Sequence, residues 1–387
     1  MDAALFISRR LRLRRRIVTV SIAISFFVMI VAVAVSSGFR REIRSGLSAL
    51  SGDIQIVRPD MNVMDENFPI EGNPSYLDEI LAIDGVKEVK PVVYRAGIVK
   101  CEDEIHGVIF KGTESEDTVA LGVSIPSSFA RKTGISPGDR MLTYFIGDRL
   151  KMRQFNVTGV HDVMVATDDN FVIYADMADL QRLAGWSEND VSAMEVVLDD
   201  DMRNEEDIHE LTMQTGTYVN AYSSDSEAPV IAVSAVSRYP QIFDWLDLID
   251  FNVFFILILM TIVAGFNMIS GLLIMLFENI SSIGLFKALG MTDRSIAKVF
   301  LVSSSVLVGK GMLAGNALAL LFCLIQGKFH AIPLNPANYF VSFVPVDVNL
   351  PMILLADAAA FVIIMLLLMI PCLFITKVDP ADTVRVK

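Results

Sequence analysis

The stretch FNVFFILILMTIVAGFNMISGLLIML, Phe251–Leu276, holds 26 residues without a charge. A hydrocarbon core of about 30 Å is crossed by a helix of about 20 apolar residues, so this run reads as a membrane span. Three other runs share the pattern: Ile17–Ser37, Val299–Gln326 with Lys310 inside it, and Leu350–Ile375 with Asp357 inside it. Yet the 387-residue chain, 53% hydrophobic, carries a net charge of −13. The acidity sits in one place, because Phe39–Asp250 holds 18 basic and 38 acidic residues. The pattern excludes a soluble globular enzyme, a fibrous protein and a disordered chain. It predicts an α-helical membrane protein with four transmembrane helices and a large α+β extracytoplasmic domain inserted between helices 1 and 2.

Charge sets the expected topology. Six arginines precede the first run against the single acid Asp2, which by the positive-inside rule keeps the N-terminus in the cytoplasm. The expected order is a cytoplasmic basic segment (1–16), span 1 (17–37), a periplasmic domain with stalk helices (38–250) and span 2 (251–276). A cytoplasmic loop (277–298), span 3 (299–326), a periplasmic loop (327–349), span 4 (350–375) and a cytoplasmic tail (376–387) complete it. A cleaved signal peptide is the alternative for the first run, but its length exceeds the 7–15 apolar residues of such a peptide. The acidic domain argues against a nucleic-acid partner, since phosphate binding is driven by Lys and Arg. Cys101 is the one cysteine outside the apolar runs, so no disulfide closes within the inserted domain.

Short β-rich runs at Asp53–Arg58, Val86–Val93, Ile105–Lys111, Arg140–Ile146, Phe155–Val160, Phe171–Tyr174 and Ala193–Leu198 interleave with helix-like stretches at Tyr76–Ile83, Ala178–Leu183 and Glu205–Thr212. The mixture predicts an α+β domain of two lobes. The acidic groups Glu102–Glu104, Asp168-Asp169 and Asp199–Asp201 lack EF-hand spacing and read as solvated loops. Beyond the first run, Gly38–Ile43 continues a helical pattern. Before the second, Ile242, Phe243, Leu246 and Ile249 line one face. Both ends of the domain are expected to be stalk helices, ordinary juxtamembrane turns being the alternative.

The four histidines are scattered without zinc spacing, and no Gly-x-Ser-x-Gly motif occurs. Gly309-Lys310 has Ser304 where a phosphate loop needs its first glycine, and it lies in an apolar run. The chain is expected to hold no catalytic residues, metal or cofactor, and to draw energy from a partner. Lys310, near mid-membrane, and Asp357 are intramembrane charges, which are functional candidates by default. Lys310 is 17 residues from Gly327, about 25 Å, and Asp357 is 7 from Leu350, about 10 Å, so a lysine side chain spans only part of the difference.

The loop Glu278–Asp293, ENISSIGLFKALGMTD, is long enough for about three helical turns, ending at Gly290 with a new N-cap at Thr292 or Asp293. Ile283, Leu285, Phe286 and Leu289 would be a costly apolar surface unless covered by a partner or by lipid.

This segment resembles the coupling helix of the MacB/FtsX-like ABC transporter permease superfamily, carried here by Glu278, Ile283, Gly284, Lys287, Leu289 and Gly290. Three further stretches resemble its lipoprotein-releasing (LolC/LolE-type) branch: Ser37–Arg44 with Gly52–Ile56, Asn338–Val346, and the Asp-Pro-Ala tail Val378–Arg385. The resemblance implies a non-catalytic permease subunit of the bacterial inner membrane. Two copies of an ABC ATPase, which bind the ATP and Mg, grip the coupling helices through Glu278, Ile283, Gly284, Phe286, Lys287, Leu289 and Gly290. A second permease subunit completes a homo- or heterodimer that extracts lipoproteins from the outer leaflet by mechanotransmission. Acyl chains and membrane lipids would meet Val31, Val35, Phe251, Phe254 and Phe255. A periplasmic lipoprotein chaperone is a further implied partner. The connection Phe145–Phe155 is shorter than the protruding loop that docks it in the LolC type, which leaves the LolE-type partner and a homodimer open. MacB-type export of a small amphiphile or peptide, and an FtsX-type regulator of a cell-wall hydrolase, are the alternatives. The large domain and the tail favour the lipoprotein branch over the regulator.

Overall fold

The computed structural model describes residues 15–59, 61, 68–101, 104–114, 119–145, 150–162, 171–202 and 204–373. The basic N-terminal segment up to residue 14, the Asp-Pro-Ala tail, Glu102-Asp103, Asp168-Asp169 and most of the 145–149 connection lie outside those residues. The first part of the chain runs α1 (Arg15–Ser51), β1 (Ile54–Val57), β2 (Ile70–Glu71), α2 (Leu77–Leu81), β3 (Val86–Cys101), β4 (Glu104–Thr113), β5 (Gly122–Pro126) and α3 (Ser127–Thr133). It continues through β6 (Arg140–Phe145), β7 (Lys151–His161), β8 (Phe171–Asp176), α4 (Met177–Ala184), β9 (Asp190–Val191), β10 (Ala193–Leu198), α5 (Glu205–Tyr222), β11 (Ile231–Ser234) and α6 (Ala235–Arg238). The remainder is helical: α7 (Pro240–Glu278), α8 (Ile280–Ala288), α9 (Asp293–Phe329), α10 (Pro336–Tyr339), α11 (Leu350–Leu367) and α12 (Met369–Cys372). Two compact units result. One comprises Met1–Arg40, Trp245–Pro333 and Phe343–Lys387, the other Arg41–Asp244 and Leu334–Ser342.

In the membrane unit, four helices are long and apolar enough to cross a bilayer. The helices α1 and α7 have 37 and 39 residues, so each is longer than its apolar run. At about 1.5 Å per residue they exceed a hydrocarbon core of about 30 Å by roughly 25 Å. Lipid is as apolar as leucine, so close backbone approach has to specify the packing. Gly311 and Gly315 supply it on α9: a Cβ would stand 2.6 Å from Ile22 Cγ2 at the first and 2.5 Å from the Ala23 carbonyl oxygen at the second. Ile22, Phe26, Met268, Leu272, Phe300 and Ile364 are buried in the core that forms around this contact. Asn267 donates to Ser21 Oγ (2.9 Å), joining α7 to α1. Arg40 pairs with Asp247 (2.9 Å) and Asp250, and Phe39 meets Trp245 edge-on at 5.6 Å, so the same two helices are tied again at their far ends.

The inserted domain is built on one sheet of order β11-β1-β10-β3-β4-β8-β5-β7-β6, and β6 returns to pair with β3. Strands β3, β4, β8, β5, β7 and β6 therefore close into a six-stranded barrel. The 16-residue β3 serves both parts: Val86–Val92 pairs with β10, and Val93–Cys101 pairs with β4. Closure occurs where Ile98 and Val99 meet Tyr144 and Thr143, and Gly97 is needed there, since a Cβ would lie 2.9 Å from Thr143 Cγ2. Phe110, Phe145 and Phe155 fill the barrel, with Phe110 and Phe155 centroids 4.8 Å apart. A single buried core runs from the barrel to Ile54, Ile56 and Val196 of the open sheet and to Ile208 and Leu211 of α5. The expectation of two lobes is corrected accordingly: an unbroken β3 makes the barrel and the open sheet one unit. The helix α5 also runs past Thr212 to Tyr222, continuing through Gly216, where Ala232 of β11 lies 3.8 Å from the Cβ position.

Candidate functional site

Between α7 and α9 the chain makes a nine-residue helix, α8, with defined ends. Leu289 closes it, Gly290 adopts a left-handed φ of +87°, Gly290 N–H donates to Lys287 O (2.9 Å) and Met291 N–H to Phe286 O (3.0 Å). Those paired bonds satisfy the last carbonyls of a helix that glycine terminates. Thr292 then caps α9 through Ser295 N–H, and Lys287 Nζ bonds Asp293 Oδ1 at 2.9 Å across the turn. The turn is thus fixed by two caps and an ion pair within 16 residues.

The family resemblance assigns Glu278, Ile283, Gly284, Phe286, Lys287, Leu289 and Gly290 to the coupling helix, and the structure divides them between a buried and an exposed face. Ile283 is 1% exposed and packs in the bundle core with Ile296 and Phe300, and Gly284 is buried beside it. Phe286 packs partly against the same core, and Lys287 is held by Asp293. Ile283 and Gly284 thus lie on the face of α8 that packs into the bundle. Leu289, Gly290 and Glu278 are exposed. Leu285, outside the motif residues, is 53% exposed and Leu289 74% exposed. With Ser281 and Ala288 they form an exposed strip at i, i+4, i+7 and i+8, the spacing of one helix face. This strip offers an apolar ridge on a helix whose opposite face is anchored. Nothing in the local sequence separates Leu285 from Ile283, since both are apolar and only the packing of α9 decides between them.

The second span presents another exposed face. Phe251, Phe254 and Phe255 are all more than half exposed, with Phe251 and Phe255 rings 4.8 Å apart edge-on. Ile258, Leu259, Ile262 and Phe266 extend the same stripe along α7. Val31 and Val35 are half-buried on α1, and Val31 packs against Ile30, Val33 and Ile353 rather than joining the stripe. The intramembrane charges are separated too. Asp357 is buried and bonded by Asn316 of α9, whereas Lys310 is exposed, with no hydrogen bond or ion pair among the described residues. Lys310 and Asp357 do not pair, in keeping with their different depths along the sequence. Asn316, six residues farther along α9, stands at the height of Asp357, as the depth difference in the sequence requires.

Two family models match the chain, MacB-like periplasmic core domain over residues 17–214 and FtsX-like permease C-terminal over residues 254–380. Lipoprotein-releasing system transmembrane protein LolC of Xylella fastidiosa is 20% identical over 386 residues, covering 92% of this chain and 90% of that protein. The protein of the same name from Neisseria meningitidis serogroup B is 24% identical over 395 residues with the same coverage of both chains. Among solved structures, the periplasmic region of MacB from Actinobacillus actinomycetemcomitans is 12% identical. It covers 50% of this chain and 95% of that one with a TM-score of 0.30.

Proposed function

Because the chain belongs to the MacB/FtsX/LolC family of ABC transporter permeases, multi-pass proteins of the inner membrane, we propose that it extracts lipoproteins from the outer leaflet using ATP hydrolysed by a separate subunit. In this reading both termini and α8 face the cytoplasm, and the inserted domain faces the periplasm. Two ATPase subunits, which bind ATP and Mg, grip the α8 helices of a permease dimer. The observation that carries the reading is the Leu285–Leu289 ridge. It is an apolar surface on a helix locked from behind by Ile283, so force applied to it enters the bundle instead of rotating the helix. The α1–α7 pair, tied at Asn267–Ser21 and at Arg40, would carry that force outward. The phenylalanine stripe of α7 suits acyl chains entering from the bilayer, and a lipoprotein cargo accords with the name of the relatives that span nine-tenths of the chain. The permease contributes surface and motion, and no bond-breaking residue.

The test is reconstitution of the chain with its ATPase in proteoliposomes carrying a triacylated lipoprotein. Release is expected to require ATP and to fall at least tenfold in Leu285→Asp/Leu289→Asp, with an unchanged melting temperature because neither side chain is packed. An active ATPase complex that releases no lipoprotein overturns the cargo assignment, and retained release in the double variant overturns the role of the ridge.

A further inference from the structure

The open sheet of the inserted domain buries a charged network on the face opposite its main core. Ile54 and Ile56 of β1 point into that core, so alternation turns Gln55 to the other side, level with Glu195 of β10. Lys111 and Glu195, each 3% exposed, pair at 2.8 Å. Lys111 Nζ also donates to the carbonyls of Leu50 (2.8 Å) and Ala49 (3.3 Å), at the C-terminal end of α1. Tyr94 Oη donates to Glu195 and accepts from Gln55 Nε2 at 3.1 Å, and Arg238, in α6 just ahead of α7, donates to Gln55 Oε1. Asp53 runs parallel to this chain of bonds. Its carboxylate accepts from Ser48 Oγ and Leu198 N–H, both at 2.8 Å, and its carbonyl accepts from Ala235 N–H at 2.9 Å.

Stability alone does not account for such a network. Burial lowers the pKa of Lys111 against the pull of Glu195, and burial raises that of Glu195 against the pull of Lys111. Both charges would therefore be better solvated in water, and a buried ion pair replaced by packed apolar side chains is often neutral or stabilising. What apolar side chains cannot supply is direction. A cation aimed at the last carbonyls of a helix fixes where that helix ends. Here the same network reaches the segment that leads into the other long helix.

We infer that Lys111, Glu195, Tyr94, Gln55 and Arg238 form a clamp that holds the end of α1 and the start of α7 against the sheet as one body. Lys111 is the positioning residue, and the clamp makes movement of either helix reach the domain undivided. The inference rests on the force-transmitting reading above, but its geometry is testable without a cargo. The full chain, reconstituted with its ATPase and with Cys101, Cys323 and Cys372 replaced, would carry spin labels at Arg41→Cys and Gln241→Cys. Lys111→Met/Glu195→Leu is expected to keep the melting temperature at or above that of the unaltered chain and to keep ATP hydrolysis. The label-to-label distance distribution should widen at least twofold and lipoprotein release should fall at least tenfold. Should the double variant not fold, Tyr94→Phe, which removes one hydroxyl, carries the same measurement with a smaller widening. A distribution that stays narrow overturns the clamp, and a widened one with full release overturns its positioning role. If the unaltered chain releases no lipoprotein, the cargo reading fails and the distance distribution alone decides the clamp.

Discussion

The membrane unit and the inserted domain are held together by opposite means. Around Gly311 and Gly315 the membrane unit gains specificity from missing side chains, with the Ile22 side chain and the Ala23 carbonyl seated where a Cβ would be. Around Phe110 the domain gains it from large ones, with Phe110, Phe145 and Phe155 filling a closed barrel. Water is the reason for the difference. In the domain, burying apolar area is itself the driving force. Between helices in lipid that force is nearly absent, so contact distance and a few polar bonds select the arrangement.

Gly315→Leu should break the comparison on its membrane side and have the largest effect. A side chain at 2.5 Å from the Ala23 carbonyl cannot be absorbed by a rotamer change. The expected outcome is loss of the monodisperse, detergent-extracted protein in size-exclusion chromatography. A folded, active variant would mean that α1 and α9 are held by other contacts. On the other side, Phe110→Ala should cost about 3–5 kcal/mol, the usual range for removing a buried aromatic, measured as a lowered midpoint of denaturant unfolding. The same substitution at Phe254, exposed on α7, should leave stability within about 0.5 kcal/mol. Similar losses at both sites would refute the assignment of Phe254 to an open face.

The membrane half was legible because uncharged length is a one-dimensional signal, and four runs announce themselves. The caps of α8 and α9 at Gly290 and Thr292 were legible for a similar reason, since left-handed glycine and a hydroxyl N-cap act within one turn. Facing was not legible. Ile283 and Leu285 are two apolar residues two positions apart on one helix, and only the position of Ile296 and Phe300 makes one of them core and the other surface. Barrel closure was hidden as well, because the β3–β6 pairing joins Ile98 to Tyr144 across 46 residues with no local signature beyond Gly97. Lys310 and Asp357 drew attention by charge, although the partner of Asp357 is the neutral Asn316.

That partner gives a smaller prediction. Asn316→Leu removes one interhelical hydrogen bond between α9 and α11 and leaves the Asp357 carboxyl group without it. Such bonds average about 0.6 kcal/mol and reach about 1.7 in membrane bundles, so a modest fall in thermal stability is expected. The fall should be smaller than for Phe110→Ala, because Asn316 is half-buried and Phe110 fully buried. An effect as large as that of the barrel residue would show that polar bonds in this bundle weigh as heavily as the barrel's apolar core.

The smallest effect concerns pH and isolates the domain, because it depends on a barrel histidine. His161 sits with Nδ1 2.9 Å from Ser124 Oγ and its ring 4.7 Å from Tyr174, and burial lowers its pKa below 6.5. In the unfolded chain the ring takes up a proton near pH 6.5, whereas the folded barrel resists that proton until lower pH. The unfolded state then binds more protons in the interval, so stability rises with pH there. This contribution is complete above pH 6.5 and is lost as pH falls from 6.5 toward the folded value. The melting temperature of the full chain in detergent should decline between pH 7.5 and 5.5, and His161→Gln should flatten that decline while lowering the plateau. A variant whose melting temperature falls as steeply as that of the unaltered chain would place the proton uptake at another residue.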